Sequence, residues 1–111
     1  MLHVNKINIE GYDFLTYEVE LPKTTLFIVS YEKVGYIMCA ALDIDFFNNS
    51  EKLRARKIIA GRAEGVRSIE QLLEAPLAKV TVACEELGIK PGMIGKDALV
   101  LMAKSLEKWE Y

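Results

Sequence analysis

The segment Gly61–Arg67 combines residue types that bind anions in proteins. Its two glycines, Gly61 and Gly65, allow the backbone to turn tightly and to bring N–H groups close to a ligand. Arg62 and Arg67 can each offer a guanidinium fork to a carboxylate or a phosphate. A helix is predicted to begin directly after the segment, and its free N–H groups would add to the attraction. The segment therefore predicts a site for a small anionic metabolite.

The same segment also has a purely structural interpretation. Both arginines can pair with Glu64, with Glu70 or with a neighbouring subunit, while the glycines serve only the turn. The glycine spacings of P-loops and of dinucleotide-binding loops are not present. A structural or interaction protein without a ligand is therefore the alternative hypothesis.

Cys39 is the candidate for nucleophilic chemistry, and Asp43 follows it four residues later. If this strand end approaches the arginine segment, Asp43 joins the anion site, and Arg62 or Arg67 can stabilise a Cys39 thiolate. A thiol-dependent enzyme is thus a third hypothesis. Against it, a cysteine among apolar residues is usually a small core residue, and the only histidine, His3, lies near a terminus.

Metal and cofactor sites are not expected. Asp43 and Asp45 offer carboxylate oxygens, but the glycine and the distal glutamate of a calcium-binding loop are missing. Helix capping accounts for Asp43 more simply. Cys39 and Cys84 form no CxxC pair, so we expect two reduced, buried thiols.

The composition is that of one globular domain covering residues 1–111, with 51% hydrophobic and 27% charged residues and a formal charge of −2. No basic run is present, which argues against nucleic acid as a partner. The longest apolar runs, such as Leu26–Val29 and Tyr36–Leu42, are too short to span a membrane. No signal peptide is recognisable, so a cytoplasmic location is expected.

The first 42 residues predict an antiparallel meander. Between Leu15 and Leu21 apolar and polar residues alternate, so one face of this strand is expected to be buried and the other wet. The two strands after it are almost continuously apolar and should be covered on both faces. Short links make consecutive strands antiparallel neighbours. The predicted strands are Val4–Glu10, Leu15–Leu21, Thr25–Tyr31 and Tyr36–Leu42.

Helical spacing dominates the remainder, which predicts an α+β fold: a four-stranded meander, a short fifth strand, and three to four helices packed on one face. Asp43 and Ser68 are predicted helix caps, and Gly88 a helix terminator. The predicted elements are a helix over Ile44–Arg56, a strand over Lys57–Gly61, a helix from Ser68, a helix carrying Leu77, Val80, Cys84 and Leu87, and a last helix from Gly95 carrying Leu99, Met102, Leu106 and Trp109.

Several of these motifs together resemble the DUF1805 family, the YunC-like proteins of bacteria and archaea. The resemblance runs from about Ile7 to Met102 and implies an α+β domain whose amino-terminal β region mediates tetramerisation. It implies no activity. The residues that carry it are Gly35–Asp43, Ile59–Arg67, Ser68–Leu77 and Glu86–Ile89, with Gly92 and Gly95.

Self-association is the partner prediction. The outer strands of a meander have free edges, which natural proteins protect or pair. The strand half is also rich in aromatic residues, some of which can stand on an exposed face. We therefore predict a symmetric homo-oligomer built through the sheet. The resemblance makes a tetramer the expected form.

Overall fold

The strands follow one another as neighbours along a single six-stranded sheet. The computed structural model describes residues 1–32 and 34–109, with side chains up to residue 105. The strands are β1 (Leu2–Ile9), β2 (Tyr12–Leu21), β3 (Thr24–Tyr31), β4 (Gly35–Met38), β5 (Ile59–Ala63) and β6 (Leu77–Val80). The helices are α1 (Ile44–Asn49), α2 (Glu51–Ala55), α3 (Ile69–Glu74), a 3₁₀ helix (Val82–Leu87) and α4 (Gly95–Trp109).

The predicted meander is confirmed in order and direction, because β1 to β4 pair antiparallel in sequence order, but its fourth strand ends at Met38 and not at Leu42 as predicted. The first hairpin turns at Glu10 and Gly11, whose φ angles of 52° and 89° are both positive. Two consecutive positive φ angles match the twist of the flanking strands. Local turn chemistry therefore sets this half of the fold.

The sheet continues beyond the meander by two strands rather than one. After α1 and α2 the chain returns parallel to β4 as β5, which lies two residues later than the predicted Lys57–Gly61 strand. The prediction of a helix carrying Leu77 and Leu87 is wrong, because Leu77–Val80 is β6, antiparallel to β5. The rest of that segment is the 3₁₀ helix, and Gly88 ends it with φ 80°, as predicted.

The predicted helix Ile44–Arg56 is divided into two short helices at Ser50, which is extended (φ −97°, ψ 121°). The Ser50 hydroxyl accepts a hydrogen bond from Leu53 N at 3.4 Å and caps α2. Asn48 bonds away from its own helix: its amide donates to Val80 O and its carbonyl oxygen accepts from Val82 N. Polar side chains that compete for backbone partners therefore end α1 early.

Helices cover both faces of the sheet, so the prediction of helices on one face is wrong. The larger core lies between the sheet and α3, α4 and the 3₁₀ helix, and includes Phe14, Val29, Ile37, Leu72, Leu77, Leu99 and Met102. The smaller core lies under α1 on the opposite face and is centred on Leu42, Ile44 and Ala60. On this second face α1 packs over β4 and β5 and bonds to β6, while β1 to β3 have no helical cover among the described residues.

The last helix begins at Gly95, as predicted, and buries Leu99 and Met102 completely. The side chains of Leu106 and Trp109 lie outside the described residues. Across the described ranges 1–32 and 34–109, no helix combines the length and the apolar character that a membrane span requires.

Candidate functional site

The apolar side of β2 is exposed, contrary to the expected burial of its alternating face. Leu15 and Leu21 are 37% and 47% exposed, whereas Phe14 and Thr16 on the other side are 1% and 4% exposed. The helical layer formed by α3 and α4 therefore packs against the opposite side of the strand. The alternation in the sequence is real, but the protomer's own helices do not cover its apolar half.

This surface extends over three strands. Val4, Tyr17 and Ile28 form one row across β1, β2 and β3, and Leu2, Val19 and Leu26 form the next. The edge-strand residues Leu2 and Val4 are 60% and 49% exposed, and the central positions are half-buried. We call this surface the open face and define it by Leu2, Val4, Leu15, Tyr17, Val19, Leu21, Leu26 and Ile28.

The helix-facing side of β1 and β2 is polar where the strands extend beyond the helices, at the start of β1 and the end of β2. His3, Glu18 and Glu20 stand there, and His3 Nε2 lies 3.1 Å from Glu20 Oε2. The outer half of the hairpin is therefore apolar on the open face and polar on the helix-facing side. The expectation that β3 is covered on both faces is wrong as well, because Leu26 and Ile28 are only half-buried.

The predicted anion segment is part strand and part loop: Gly61–Ala63 end β5, and residues 64–67 form the loop that leads to α3. Gly61 lies in β5, where an added Cβ would come within 2.8 Å of Leu77 Cδ1, so this glycine serves close packing. Gly65 has φ 72° and makes the predicted turn. Ser68 caps α3 by accepting from Gln71 N at 3.0 Å. Since α3 has only six residues, its dipole is a weak attraction for an anion.

Arg62 lies at the centre of a charge cluster on the α1 side of the sheet. Its guanidinium is 3.2 Å from Glu64 Oε1, and across the β5–β6 pair it neighbours Lys79. Lys79 Nζ in turn lies 2.6 Å from Asp45 Oδ2. The Arg62 Nε is buried and has no hydrogen-bond partner within the described residues. Part of the structural interpretation, the pair with Glu64, is therefore present.

The structure does not bring the other predicted ligand groups onto Arg62. The Arg67 side chain is exposed and makes no ion pair with any described residue, while its backbone N–H donates to Gln71 Oε1 at 2.7 Å. Asp43 caps α1, as predicted, by accepting from Phe46 N at 3.0 Å. Lys79, which sequence reasoning missed, becomes a neighbour of Arg62 only through the pairing of β6.

Both cysteines are free and buried. Cys39 is 8% exposed, and its backbone N–H donates to Phe27 O at 3.2 Å. Cys84 is fully buried, and burial raises its thiol pKa despite hydrogen bonds with Thr81 and Ala60 that oppose the shift. Cys84 is therefore a core residue, and thiol chemistry at Cys39 stays a prediction. Among the described residues no cluster of histidine, cysteine and acidic side chains suits a metal ion.

Comparison with known proteins identifies the family. Residues 38–102, more than half of the chain, match the family described as "Domain of unknown function (DUF1805)". The chain belongs to the DUF1805 family. The resemblance of the Gly35–Asp43 and Ile59–Arg67 motifs is thereby confirmed.

Two individual proteins are similar over nearly their whole length. The uncharacterized protein YunC of Bacillus subtilis (strain 168) is 53% identical over 104 residues, which cover 94% of this chain and all of that relative. A protein of unknown function from Thermoplasma acidophilum has a crystal structure that superposes with a TM-score of 0.78. That match covers 92% of this chain and 93% of the other at 22% identity. At this identity it supports the α+β fold alone.

Proposed function

We propose that this chain is a self-assembling interaction module whose open face is covered by a second copy of itself. The observation that carries the proposal is the exposure of Leu2, Val4, Leu15 and Leu21 along one sheet face. Complete burial of a Leu or Val side chain is worth about 1.5–3 kcal/mol. Contiguous apolar surface of this kind on a folded protomer usually marks an interaction site.

The charges of the face favour an identical partner. Lys6 and Asp13 point to the same side as Leu15, near the first hairpin turn, so the face carries one positive and one negative group. Two identical faces related by a two-fold axis therefore do not repel each other, and each cation can approach the other copy's anion. The face therefore has no excess of one charge that would attract a strongly acidic or a strongly basic partner.

A tetramer follows if the sheet edge is used as well. β1 is the terminal strand of the described sheet, and its outer edge has no neighbouring strand there. Pairing two β1 strands about a second two-fold axis protects that edge, and two different two-fold contacts close into a tetramer. The family resemblance, which implies tetramerisation through the amino-terminal β region, agrees with this arrangement.

Light scattering during size-exclusion chromatography, together with native mass spectrometry, tests the proposal. We expect a species of about four times the 12.5 kDa protomer mass. A dimer would contradict the tetramer, and it would agree with the proposal only if the open face is the contact that it retains. A monomer mass at high micromolar concentration would overturn the proposal, because the open face would then be exposed to water in the native protein.

Anion binding at Arg62 is the second candidate function, and it rests on the buried, unpaired Nε of that side chain. A carboxylate or phosphate group that accepts from Nε would satisfy this donor. The other residues predicted for this site, Gly61, Gly65, Arg67 and Asp43, do not contact the Arg62 side chain as described above, so this candidate rests on Arg62 itself. Inorganic phosphate should then raise the melting temperature of the native protein more than that of Arg62→Lys. No stabilisation at millimolar phosphate would exclude this candidate.

The third hypothesis, a thiol-dependent enzyme, depends on the reactivity of Cys39. Iodoacetamide labelling of the native protein across pH, with Cys84→Ala to isolate the signal, measures it directly. A Cys39 thiol that reacts near neutral pH would support the enzyme, since only a thiolate attacks. A thiol that stays unlabelled until the protein unfolds would end this hypothesis.

A further inference from the structure

A groove of about 320 Å³ lies where the turn between β3 and β4 meets the connection from α2 to β5. Ser30 and Tyr36 are cross-strand partners in β3 and β4 and form one wall. Arg56 and Lys57 also line the groove, and Ile58 and Ile59 contribute apolar surface. The volume is at the lower end of the roughly 300–1,000 Å³ typical of small-molecule sites.

The polar groups of the groove favour a negative charge. The Arg56 side chain is exposed and makes no ion pair or hydrogen bond with any described residue. Lys57 is only loosely engaged, since its Nζ lies 3.9 Å from Glu86 Oε1 and both side chains are largely exposed. Among the described residues that line the groove, Glu32 is the only acidic one, and the two cations outnumber it. Burial raises the pKa of Tyr36 further above neutral pH, where a tyrosine phenol is already a hydrogen-bond donor.

The backbone holds both rims of the groove in defined positions. Glu32 and Lys57 have φ angles of 39° and 52°, a region that residues with a Cβ seldom adopt. The Lys57 N–H donates to Arg54 O at 3.0 Å, which fixes the turn that presents the two cations. Gly35, which also lines the groove, lies so close to β5 that an added Cβ would be 2.4 Å from Ile59 O. Strained residues held by their surroundings are commonly found at binding sites.

We propose that this groove binds a small organic anion, with its carboxylate or phosphate group between Arg56 and Lys57 and its apolar part against Ile58 and Ile59. The hydroxyl groups of Ser30 and Tyr36 donate hydrogen bonds to the polar end of the ligand. This site is separate from the Arg62 candidate, because none of its lining residues belongs to the segment Gly61–Arg67. It also requires no second copy, since every group named here belongs to one protomer.

Phenyl phosphate is a suitable first probe because it joins a dianion to a small apolar ring. Titration into the full-length ¹⁵N-labelled protein, followed by NMR, should shift the amide signals of Tyr36, Lys57 and Ile58. Inorganic phosphate should bind more weakly, and phenol, which lacks the anion, should bind least. Benzoate distinguishes a preference for carboxylate from one for phosphate.

Paired arginine variants give the decisive comparison. Arg56→Gln should weaken phenyl phosphate binding by about tenfold or more, the loss expected for one charge-assisted contact. Arg54→Gln removes the same charge two residues away, outside the groove, and should bind as the wild type does. Arg62→Gln should also leave binding unchanged, which separates this site from the second candidate function. Thermal unfolding of each variant confirms that it is folded.

Two results would overturn the proposal. One is the absence of shifts in the groove amides at millimolar phenyl phosphate. The other is an equal loss of affinity in Arg56→Gln and Arg54→Gln, which would indicate a diffuse charge effect instead of a site. Shifts confined to the neighbourhood of Arg62 are a case of the first result, and they would support the second candidate function.

Discussion

Replacing Val4 by lysine places a positive charge on the open face without disturbing the protomer. Val4 is 49% exposed on the edge strand β1, so its side chain has room for the longer residue. Association would bury the exposed half of the wild-type valine, which is worth roughly 0.7 kcal/mol per copy, and the substitution removes this contribution. The lysine ammonium then loses water without gaining a partner, and it lies beside Lys6 on the same face.

The combined effect on association is large. Full burial of an unpaired charge costs several kcal/mol, but a lysine can turn its end group toward water, so we take about 2 kcal/mol per copy in total. A two-fold contact contains the substitution twice, so the two copies together lose about 4 kcal/mol of association free energy. The dissociation constant should therefore rise roughly 1,000-fold. Sedimentation equilibrium over a dilution series measures this constant.

Val82→Lys is the matched control. Val82 is 47% exposed, nearly the same as Val4, but it begins the 3₁₀ helix rather than lying on the sheet face. The same substitution there should leave the dissociation constant unchanged. Equal association of Val4→Lys and the wild type, or equal weakening in both variants, would refute the assignment of the open face as the interface.

Three further predictions concern the protomer. Gly35→Ala should lower the free energy of unfolding by about 3 kcal/mol, because the new Cβ would lie 2.4 Å from Ile59 O. Thr81→Val should cost about 2 kcal/mol, since the Thr81 hydroxyl donates to Ile58 O and accepts from Ala60 N. Stability should fall as the pH rises above about 9, because burial raises the pKa of Cys84 and Tyr36 above their ordinary values of 9.0 and 10.0.

The sign of the pH effect follows from proton binding. Above about pH 9 the unfolded chain releases these protons while the native protein keeps them, so the native state binds more protons and loses stability as the pH rises. Urea unfolding at several alkaline pH values measures it, and Cys84→Ala should reduce the slope. A stability that is constant or increasing there would contradict the burial of these groups.

The two substitutions have equally direct checks by urea unfolding. Thr81→Ser retains the hydroxyl, so it should lose much less stability than Thr81→Val. Equal losses would show that the methyl group, and not the hydrogen bonds, is what matters at this position. For Gly35→Ala, an unfolding free energy equal to that of the wild type would show that β4 and β5 can separate without cost.

The meander was predictable because its information is local. The turn at Glu10–Gly11 and the alternation from Leu15 to Leu21 both act within a few residues, and they set the order and direction of β1, β2 and β3. The helix caps Asp43 and Ser68 were predictable for the same reason, since each accepts a hydrogen bond from a backbone N–H three residues along the chain.

The identity of β6 was not predictable from spacing. Leu77 and Val80 are three residues apart, which suits a helix face, yet both are buried from a short strand. Distant partners decide the outcome: Leu77 N–H donates to Met93 O at 2.8 Å, and Thr81 N–H donates to Ala60 O at 3.0 Å. Tertiary hydrogen bonds here outweigh the intrinsic preference for helix.

In the candidate sites, too, local sequence predicts some features and distant contacts decide the others. Alternation in β2 indicates that one side must be buried, but it does not say whether a helix or another subunit covers it. Arg62 was recognisable by its residue type, whereas its neighbour Lys79 depends on the β5–β6 register. The groove joins Tyr36 to Arg56 only because β4 and β5 run parallel, and no local pattern records that pairing.

Hydroxyl-radical footprinting of the native assembly, read by mass spectrometry, tests the central claim most directly. In the isolated protomer Val4 and Val82 are 49% and 47% exposed, so two valines of nearly equal accessibility report on the open face and on a reference surface. If a second copy covers the open face, Val4 is oxidised much more slowly than Val82. Equal oxidation of the two valines would contradict the account, because the open face would then be in contact with water.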